Sequence, residues 1–459
     1  MSDERPSLAG ERLSLSDLPY DCKLEIAKYL DVKAVRSLRL TNRAMYGALS
    51  GPFFARFLER KTVDLERGSL DRLVHLVFSE KYRGVIRELR FRAAYYDLSQ
   101  LKKQAKRAGT QASRSILAAA ESRKKIQDRY LATGAGELLI FALKALGNVD
   151  TIRIELAFAK TAYFRPKSDL GELRKFGLQI SDLIMTSILS SGINMQQLVI
   201  FDTTKPCSID LFNFARVVQG AERSGKHFAV SQLKSFSARI STQPLDSAGR
   251  PRVDKSGQQF QPLAVNFLRF LSEASNLEHI NITLYNPMNS NRLNIFTSQG
   301  LLTRFNWSRL QTCTLSGLST KAVGLLDFLG HHKQLTSITL ERIFLIDGDW
   351  SEVFNYLETK MPALKQVRLS YLMHNSVPGE TAREVNLFPC WEEKSRERIL
   401  YYSRMGLAYS NGGVEMWVHT RDFNLDELKR GLVFWPLSPE GTGLHPDVIM
   451  ARIQNGYWA

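Results

Sequence analysis

Residues 310–318 read Leu-Gln-Thr-Cys-Thr-Leu-Ser-Gly-Leu, residues 335–343 read Leu-Thr-Ser-Ile-Thr-Leu-Glu-Arg-Ile, and residues 364–372 read Leu-Lys-Gln-Val-Arg-Leu-Ser-Tyr-Leu. In each, apolar residues hold the first, fourth, sixth and ninth places, and the alternation around the fourth and sixth is that of a strand with one buried face. The leading triplet recurs upstream as Ile86/Leu89/Phe91, Val149/Ile152/Ile154 and Leu277/Ile280/Ile282, with weaker copies at Met195/Leu198/Ile200 and Leu233/Phe236/Ala238. Copies follow one another at 25 to 63 residues. Amphipathic spacing predicts helices ahead of most of them, over 69–80, 136–146, 180–189, 209–218, 263–274, 321–331 and 350–360. Strand, crossover helix and strand running in one direction is the parallel arrangement. Stacked many times, it predicts an α/β solenoid with the strands lining one face.

A different pattern precedes the repeat. From 15 to 49 the spacing predicts three short helices. Pro19 suits a first turn, with Ser16 or Asp17 to cap it, and Leu24, Ile26, Ala27 and Leu30 form the apolar stripe. Asp31 is placed to cap a second helix carrying Val35, Leu38 and Leu40. Thr41 or Asn42 is placed to cap a third, with Met45, Tyr46 and Leu49 inward and Gly51-Pro52 as its end. So small a unit buries little surface by itself, which makes its remaining apolar residues candidates for cover by a partner.

The run Leu18-Pro19-Tyr20-Asp21, Ile26, Tyr29-Leu30-Asp31, Val35, Leu38 and Leu40-Thr41-Asn42-Arg43 resembles the F-box family. It departs from that family's pattern in having Asp21 where Glu is commoner and Met45 where a Trp usually closes the motif. The resemblance implies that these helices dock on the Skp subunit of a Skp–cullin–F-box ubiquitin ligase. By position, Leu18, Pro19, Ile26, Leu30, Val35 and Leu38 would be the docking or supporting core residues. The strand–helix region is loosely similar to the leucine-rich repeats that often follow an F-box, with the Asn or Cys near the strand end mostly missing. The expected organisation is an F-box over 13–52, a first strand–helix unit and linker over 53–99, a basic helical or disordered insertion over 100–133, the repeat over 134–372 and a capping region over 373–459. Within the last, Ser410-Asn411-Gly412-Gly413 is a hairpin signal, because Asn-Gly tolerates the positive φ of a tight turn. A loop over 243–261, a helix opening near Asn424 and a packed tail over 432–459 complete the reading.

The net charge of +16 favours acidic partners, and part of it is concentrated in Lys102, Lys103, Lys106, Arg107, Arg123, Lys124, Lys125 and Arg129, a candidate contact for nucleic acid or an acidic protein. No run of about 18–20 apolar residues and no leader-like start is present, so a cytosolic or nuclear protein without membrane attachment is expected. Four scattered cysteines carry neither a metal-binding spacing nor a disulfide framework. The segment 220–227, with Gly220, Gly225 and Lys226, imitates a phosphate-binding loop, but His227 replaces the magnesium-binding hydroxyl and a helix precedes it, so Gly220 and Gly225 read as helix C-cap and turn glycines. Asp347-Gly348-Asp349 reads as a turn with a capping carboxylate, and His331-His332 as the end of a helix. No catalytic, metal or cofactor site is therefore expected, and the reading is an adaptor whose strand–helix region binds a protein substrate. The alternative is a scaffold outside the ligase that uses the basic insertion.

Overall fold

The second and third apolar residues of all eight triplets lie in strands, and these strands pair side by side in sequence order. The structure is a computed structural model that describes residues 15–158, 170–202, 207–223, 230–241, 267, 269–285, 307–374, 383–384, 405–410, 413–418 and 420–423. Its main sheet contains β1 (Arg60–Asp64), β2 (Glu88–Tyr95), β3 (Asn148–Phe158), β4 (Asn194–Ile200), the short β5 (Ile209–Asp210), β6 (Ser235–Ser241), β7 (His279–Tyr285) and β8 (Thr312–Ser316). After β9 (Ser319–Lys321), which belongs elsewhere, it continues with β10 (Ser337–Glu341) and, past β11 (Phe344–Asp347), with β12 (Gln366–Ser370). All these pairings are parallel; only β17 (Thr420–Phe423), added beside β12, runs antiparallel.

The register explains why the triplet repeats. Leu89, Ile152, Leu198, Phe236, Ile280, Cys313, Ile338 and Val367 are successive partners across the sheet, and all are buried. Phe91, Ile154, Ile200, Ala238, Ile282, Leu315, Leu340 and Leu369 form a second such row. A one-residue slip anywhere would turn one strand's apolar set to the other face, so burial holds the register. Helices cover these rows in one continuous core. Among them Leu70, Leu73 and Val77 come from the helix Arg67–Phe78, Leu139, Leu143 and Leu146 from Ala135–Leu146, Phe214 and Val218 from Leu211–Arg223, and Val353 and Leu357 from Trp350–Lys360.

Three units carry a further device. Immediately after β8, β10 and β12 stand Gly317, Arg342 and Tyr371, with φ of +75°, +54° and +51°. The left-handed residue turns the chain so that the ninth-place Leu318, Ile343 and Leu372 re-enter the core. The chain then forms a second small sheet in which β9 pairs with β11 and β11 with β13 (Met373–His374), all parallel, while β14 (Arg383–Glu384) lies antiparallel to β13. These strands of two to four residues are too short to show a period in the sequence. A Cβ at Gly317 would lie 2.3 Å from the Leu284 carbonyl oxygen, so the tight approach to the neighbouring strand also requires glycine.

The amino-terminal unit is helical, with α1 (Tyr20–Tyr29), α2 (Val32–Arg39) and α3 (Arg43–Glu59). Asp31 caps α2 by accepting from the Ala34 N–H at 2.7 Å, and Asn42 caps α3 by accepting from the Met45 N–H at 2.8 Å. Three readings need correction. Pro19 is the N-cap residue of α1 rather than part of its first turn, and it has no side-chain cap bond. Tyr46 is half exposed rather than inward. Gly51-Pro52 does not end α3, which continues for two further turns. A proline inside a helix costs about 3 kcal/mol. Here burial outweighs it: Phe53 belongs to the core of the helical unit, Leu58 to the core of the sheet, and the Phe54 ring lies 5.9 Å from that of Tyr82. Arg60 ends α3 and begins β1, so no loop separates the two cores.

The basic insertion is helical rather than disordered, running over Leu98–Ala108 and Gln111–Thr133. Gly220 lies within the helix Leu211–Arg223 and does not cap it, a second correction of a glycine read as a stop. The hairpin is present as β15 (Met405–Ser410) and β16 (Gly413–Val418), closed by the pair Ser410 and Gly413. The loop expected over 243–261, the helix near Asn424 and the tail over 432–459 lie outside the described residues. Replacing Gly317 by Ala combines left-handed strain with the clash on Leu284, and is expected to cost at least ~2 kcal/mol in denaturant unfolding. A variant as stable as the parent would show that the strand ends are not held this closely.

Candidate interaction surfaces

The helical unit has a small core of Ala27, Val35, Met45, Ala48, Leu49 and Phe53, against which Leu30, Leu38 and Phe54 pack. Arg56 of α3 ties it together, donating from Nη1 to the carbonyl oxygens of Ala27 at 2.6 Å and Leu30 at 2.7 Å, the free end of α1. The Arg39 guanidinium carbon sits 4.2 Å from the centre of the Phe53 ring and 5.2 Å from those of Tyr46 and Phe54, a cation–π contact that joins α2 to α3.

Of the six residues singled out from the sequence, Val35 is fully buried and supports the unit from within. Leu18, Ile26, Leu30 and Leu38 are half-buried, and Pro19 is exposed. Sequence reasoning missed the residues most open to solvent. Leu15, Tyr20, Val32 and Leu40 are exposed large apolar groups, and Tyr29 is 84% exposed. Tyr29 and Leu40 stand in the quoted motif, but helical periodicity flags residues that face inward, and these two face out. A unit that leaves this many large apolar groups in water presents a surface suited to a partner.

A second surface is the face of the sheet opposite the helices. Between the buried rows most strands carry a polar residue, as in Ser237, Asn281, Thr314 and Thr339, which are successive partners; the exception is β4, where the buried Val199 stands beside Arg153 and Ser237. Towards β1–β4 this face is closed by ion pairs. Arg92 Nε meets Asp64 Oδ1 at 2.7 Å, and Glu88 Oε1 accepts from Arg90 Nε at 2.7 Å and Arg153 Nε at 3.0 Å. Arg153 Nη1 also reaches Asp202 Oδ2 at 3.1 Å. Arg90 and Glu88 are two residues apart on β2, but the other partners lie 28 to 65 residues apart along the chain, so only the register brings those together.

The eight basic residues of the insertion are spread over its two helices. Lys102 pairs with Glu121 at 3.2 Å and Lys124 with Asp128 at 2.6 Å, and Arg123 lies beside the Tyr96 hydroxyl. Lys103, Lys106, Arg107, Lys125 and Arg129 are exposed. They do not join the exposed apolar set of the helical unit or the polar sheet face in one site.

Among the described residues no three His, Cys, Asp or Glu side chains approach as metal ligands would. No helix among them is long and apolar enough to cross a membrane. Gly225, Lys226 and His227 lie outside the described residues, so the imitation of a phosphate loop has no described geometry. Asp349 caps the helix Trp350–Lys360 through the Ser351 N–H at 3.1 Å, as the turn reading expected. His331 ends its helix with Nδ1 2.7 Å from the Asp327 carbonyl oxygen, and His332 is buried against Trp307 and Phe328. A cleft of about 500 Å³ lies between the helices Ala135–Leu146, Leu170–Ser191 and Leu211–Arg223. Asp182 on its wall is pushed up to about 7 by burial, against the attraction of Arg216 and with help from Asp210. Arg216 is 3.7 Å away but mostly in solvent, so its charge is screened.

The family model described as F-box domain matches residues 15–55. No curated protein matches the chain.

Because folding raises the Asp182 pKa from 3.8 to about 7, the folded state holds the proton more tightly than the unfolded chain. Stability therefore falls as pH rises through that window, and the loss is complete above it. Asp182→Asn is expected to raise the urea midpoint at pH about 8 and to change it much less at pH about 5. Equal effects at the two pH values would contradict the role given to burial.

Proposed function

From the premise that this is an F-box domain protein, we propose that it is a substrate-recruiting adaptor of a Skp–cullin–F-box ubiquitin ligase. The observation that carries the reading is the exposed apolar set Leu15, Tyr20, Tyr29, Val32 and Leu40, on helices whose own core is too small to cover it. The Skp subunit covers this set, with Pro19 and the half-buried Leu18 at its edge, and the cullin is recruited through that subunit. The remaining chain is an irregular leucine-rich-repeat-like solenoid whose helix-free face holds a protein substrate. Two apolar rows continuous through eight strands, and the left-handed residue recurring after β8, β10 and β12, support that description. The adaptor performs no bond chemistry itself; it raises the effective concentration of substrate lysines near the charged ubiquitin-carrying enzyme. It works in the cytosol or nucleus.

Geometry gives the reading a further support. The unbroken α3 anchors in both cores, so the helical unit and the sheet are held in a fixed relation. A docked substrate is then presented at a set distance from the ligase.

A second reading is favoured by the exposure of Lys103, Lys106, Arg107, Lys125 and Arg129: a scaffold outside the ligase that binds nucleic acid or an acidic partner through the two basic helices. Contacts of that kind weaken steeply with salt. Gel-shift assays at low salt in which DNA and RNA are not retained would remove its nucleic-acid form.

For the leading reading, Tyr29→Ser with Leu40→Ser is expected to weaken capture of a purified Skp subunit by about a hundredfold or more, at unchanged thermal stability, because neither side chain is buried in the free protein. Val35→Ala should instead lower both stability and capture. Capture undiminished by the double surface change would place the docking surface elsewhere.

A further inference from the structure

The two halves of the helix-free face differ in charge. From β1 to β4, Arg90, Arg92 and Arg153 are already neutralised, by Asp64, Glu88 and Asp202. From β6 to β10 the face is a floor of hydroxyl and amide groups, with His279 against the Thr312 hydroxyl at its lower end and an arginine at each side. Arg239 on β6 pairs across the sheet with Thr283, then Ser316, then Glu341. Arg239 alternates with the buried Ala238 and Ile240, so its side chain stands on the face without helices. Arg342, next to Glu341, reaches back far enough for its charge to act on Arg239.

Arg342 occupies its place at a cost. Its φ of +54° is the left-handed conformation, and the corresponding residue one unit earlier is Gly317. A non-glycine residue there is strained, as Tyr371 is one unit later, and such strain gathers at functional sites. Its Nη2 lies 3.2 Å from Glu341, while its Nε is buried and meets no hydrogen-bond acceptor among the described residues. The remaining N–H groups of a guanidinium suit a planar, two-pronged acceptor.

We propose that the β6–β12 half of the helix-free face holds an extended acidic segment of a protein partner, one carboxylate of which seats between Arg239 and Arg342 over Thr283 and Ser316. The proposal rests on the reading that this face receives the substrate. Charge selects the ligand. The charges acting on Arg239 are those of Arg342, Glu341, Asp202 and the Cys207 thiol; Asp202 is held by Arg153, and Arg368 on β12 stands beside Asp422 of β17. Two cations against Glu341 leave one positive charge, which matches a carboxylate; a phosphate dianion would be set against Glu341. A nucleic acid continuing across the sheet would meet Glu88, Glu155 and Asp64 beyond β4.

The test uses the full chain purified with its Skp subunit and fluorescent short peptides of alternating Ser and Glu, Ser and Gln, or Ser and phosphoserine. The Ser–Glu peptide should bind about tenfold more tightly than the Ser–Gln peptide, as charge-assisted hydrogen bonds require. Phosphoserine should give no further gain. Arg342→Gly, which suits the local φ and so keeps the fold, should remove the preference, as should Arg239→Gln. Arg92→Gln, in the neutralised half, should leave it intact. Equal binding of the Glu and Gln peptides, a preference that survives Arg342→Gly, binding of the phosphoserine peptide alone, or displacement by single-stranded DNA would each overturn the proposal. Retention of the Skp subunit is scored in the same preparations. The adaptor reading fails if that subunit is lost from the parent protein, whatever the peptides do, and the peptide measurement is then made on the chain alone.

Discussion

Burial of two apolar rows against a layer of helices is the constraint on which the rest of this molecule depends. Because side chains alternate along a strand, placing Leu89 through Val367 and Phe91 through Leu369 inside forces the intervening residues onto the opposite face. That face is polar for a structural reason before it is polar for a functional one. Parallel pairing also sends each strand's end to the same side of the sheet, so turns of the same kind recur after β8, β10 and β12. Arg342 and Tyr371 hold two of those turns in a left-handed conformation that glycine would adopt with less strain.

The second constraint is α3. It begins as the third helix of the F-box and finishes inside the core of the sheet, carrying Pro52 through its middle. The aromatic residues that follow the proline reward continuation in both directions, with Phe53 facing one core and Phe54 set against Tyr82 beside the other. A hinge at this point would let the two regions move independently; a helix that runs directly into β1 does not. The helical unit is thereby divided into an inner side, set by Val35, Met45 and Leu49, and an outer apolar side that no described residue covers.

Much of this was legible in the amino-acid sequence, and the physical reason is the same wherever it was. Ile338 and Leu340, or Ile152 and Ile154, announce a strand because burial acts on alternate residues and leaves a short-range period. Asp31 and Asn42 announce helix starts because a cap is a bond within three residues. What was not legible depends on contacts between distant segments. Gly51-Pro52 looks like a stop because the burial that overrides it comes from Tyr82 and the sheet core. Gly220 looked like a cap and lies mid-helix, since glycine marks a possible turn without requiring one. The chain of Arg90, Glu88, Arg153 and Asp202 could not be foreseen without knowing which strands pair, and in what register. The exposure of Tyr29 and Leu40 was not legible because apolar periodicity marks residues that face inward; Leu40, read with Val35 and Leu38, faces out.

The central claim is that one end of the chain engages a ligase while the other selects what is brought to it. It is tested most directly by comparing the proteins that co-purify from cells with the intact chain and with a chain lacking residues 1–42, which keeps α3 as the cover of the sheet. The account predicts that Skp and cullin subunits accompany only the intact chain, while a shared set of other partners accompanies both. Ligase subunits found with neither chain, or equally with both, would contradict it.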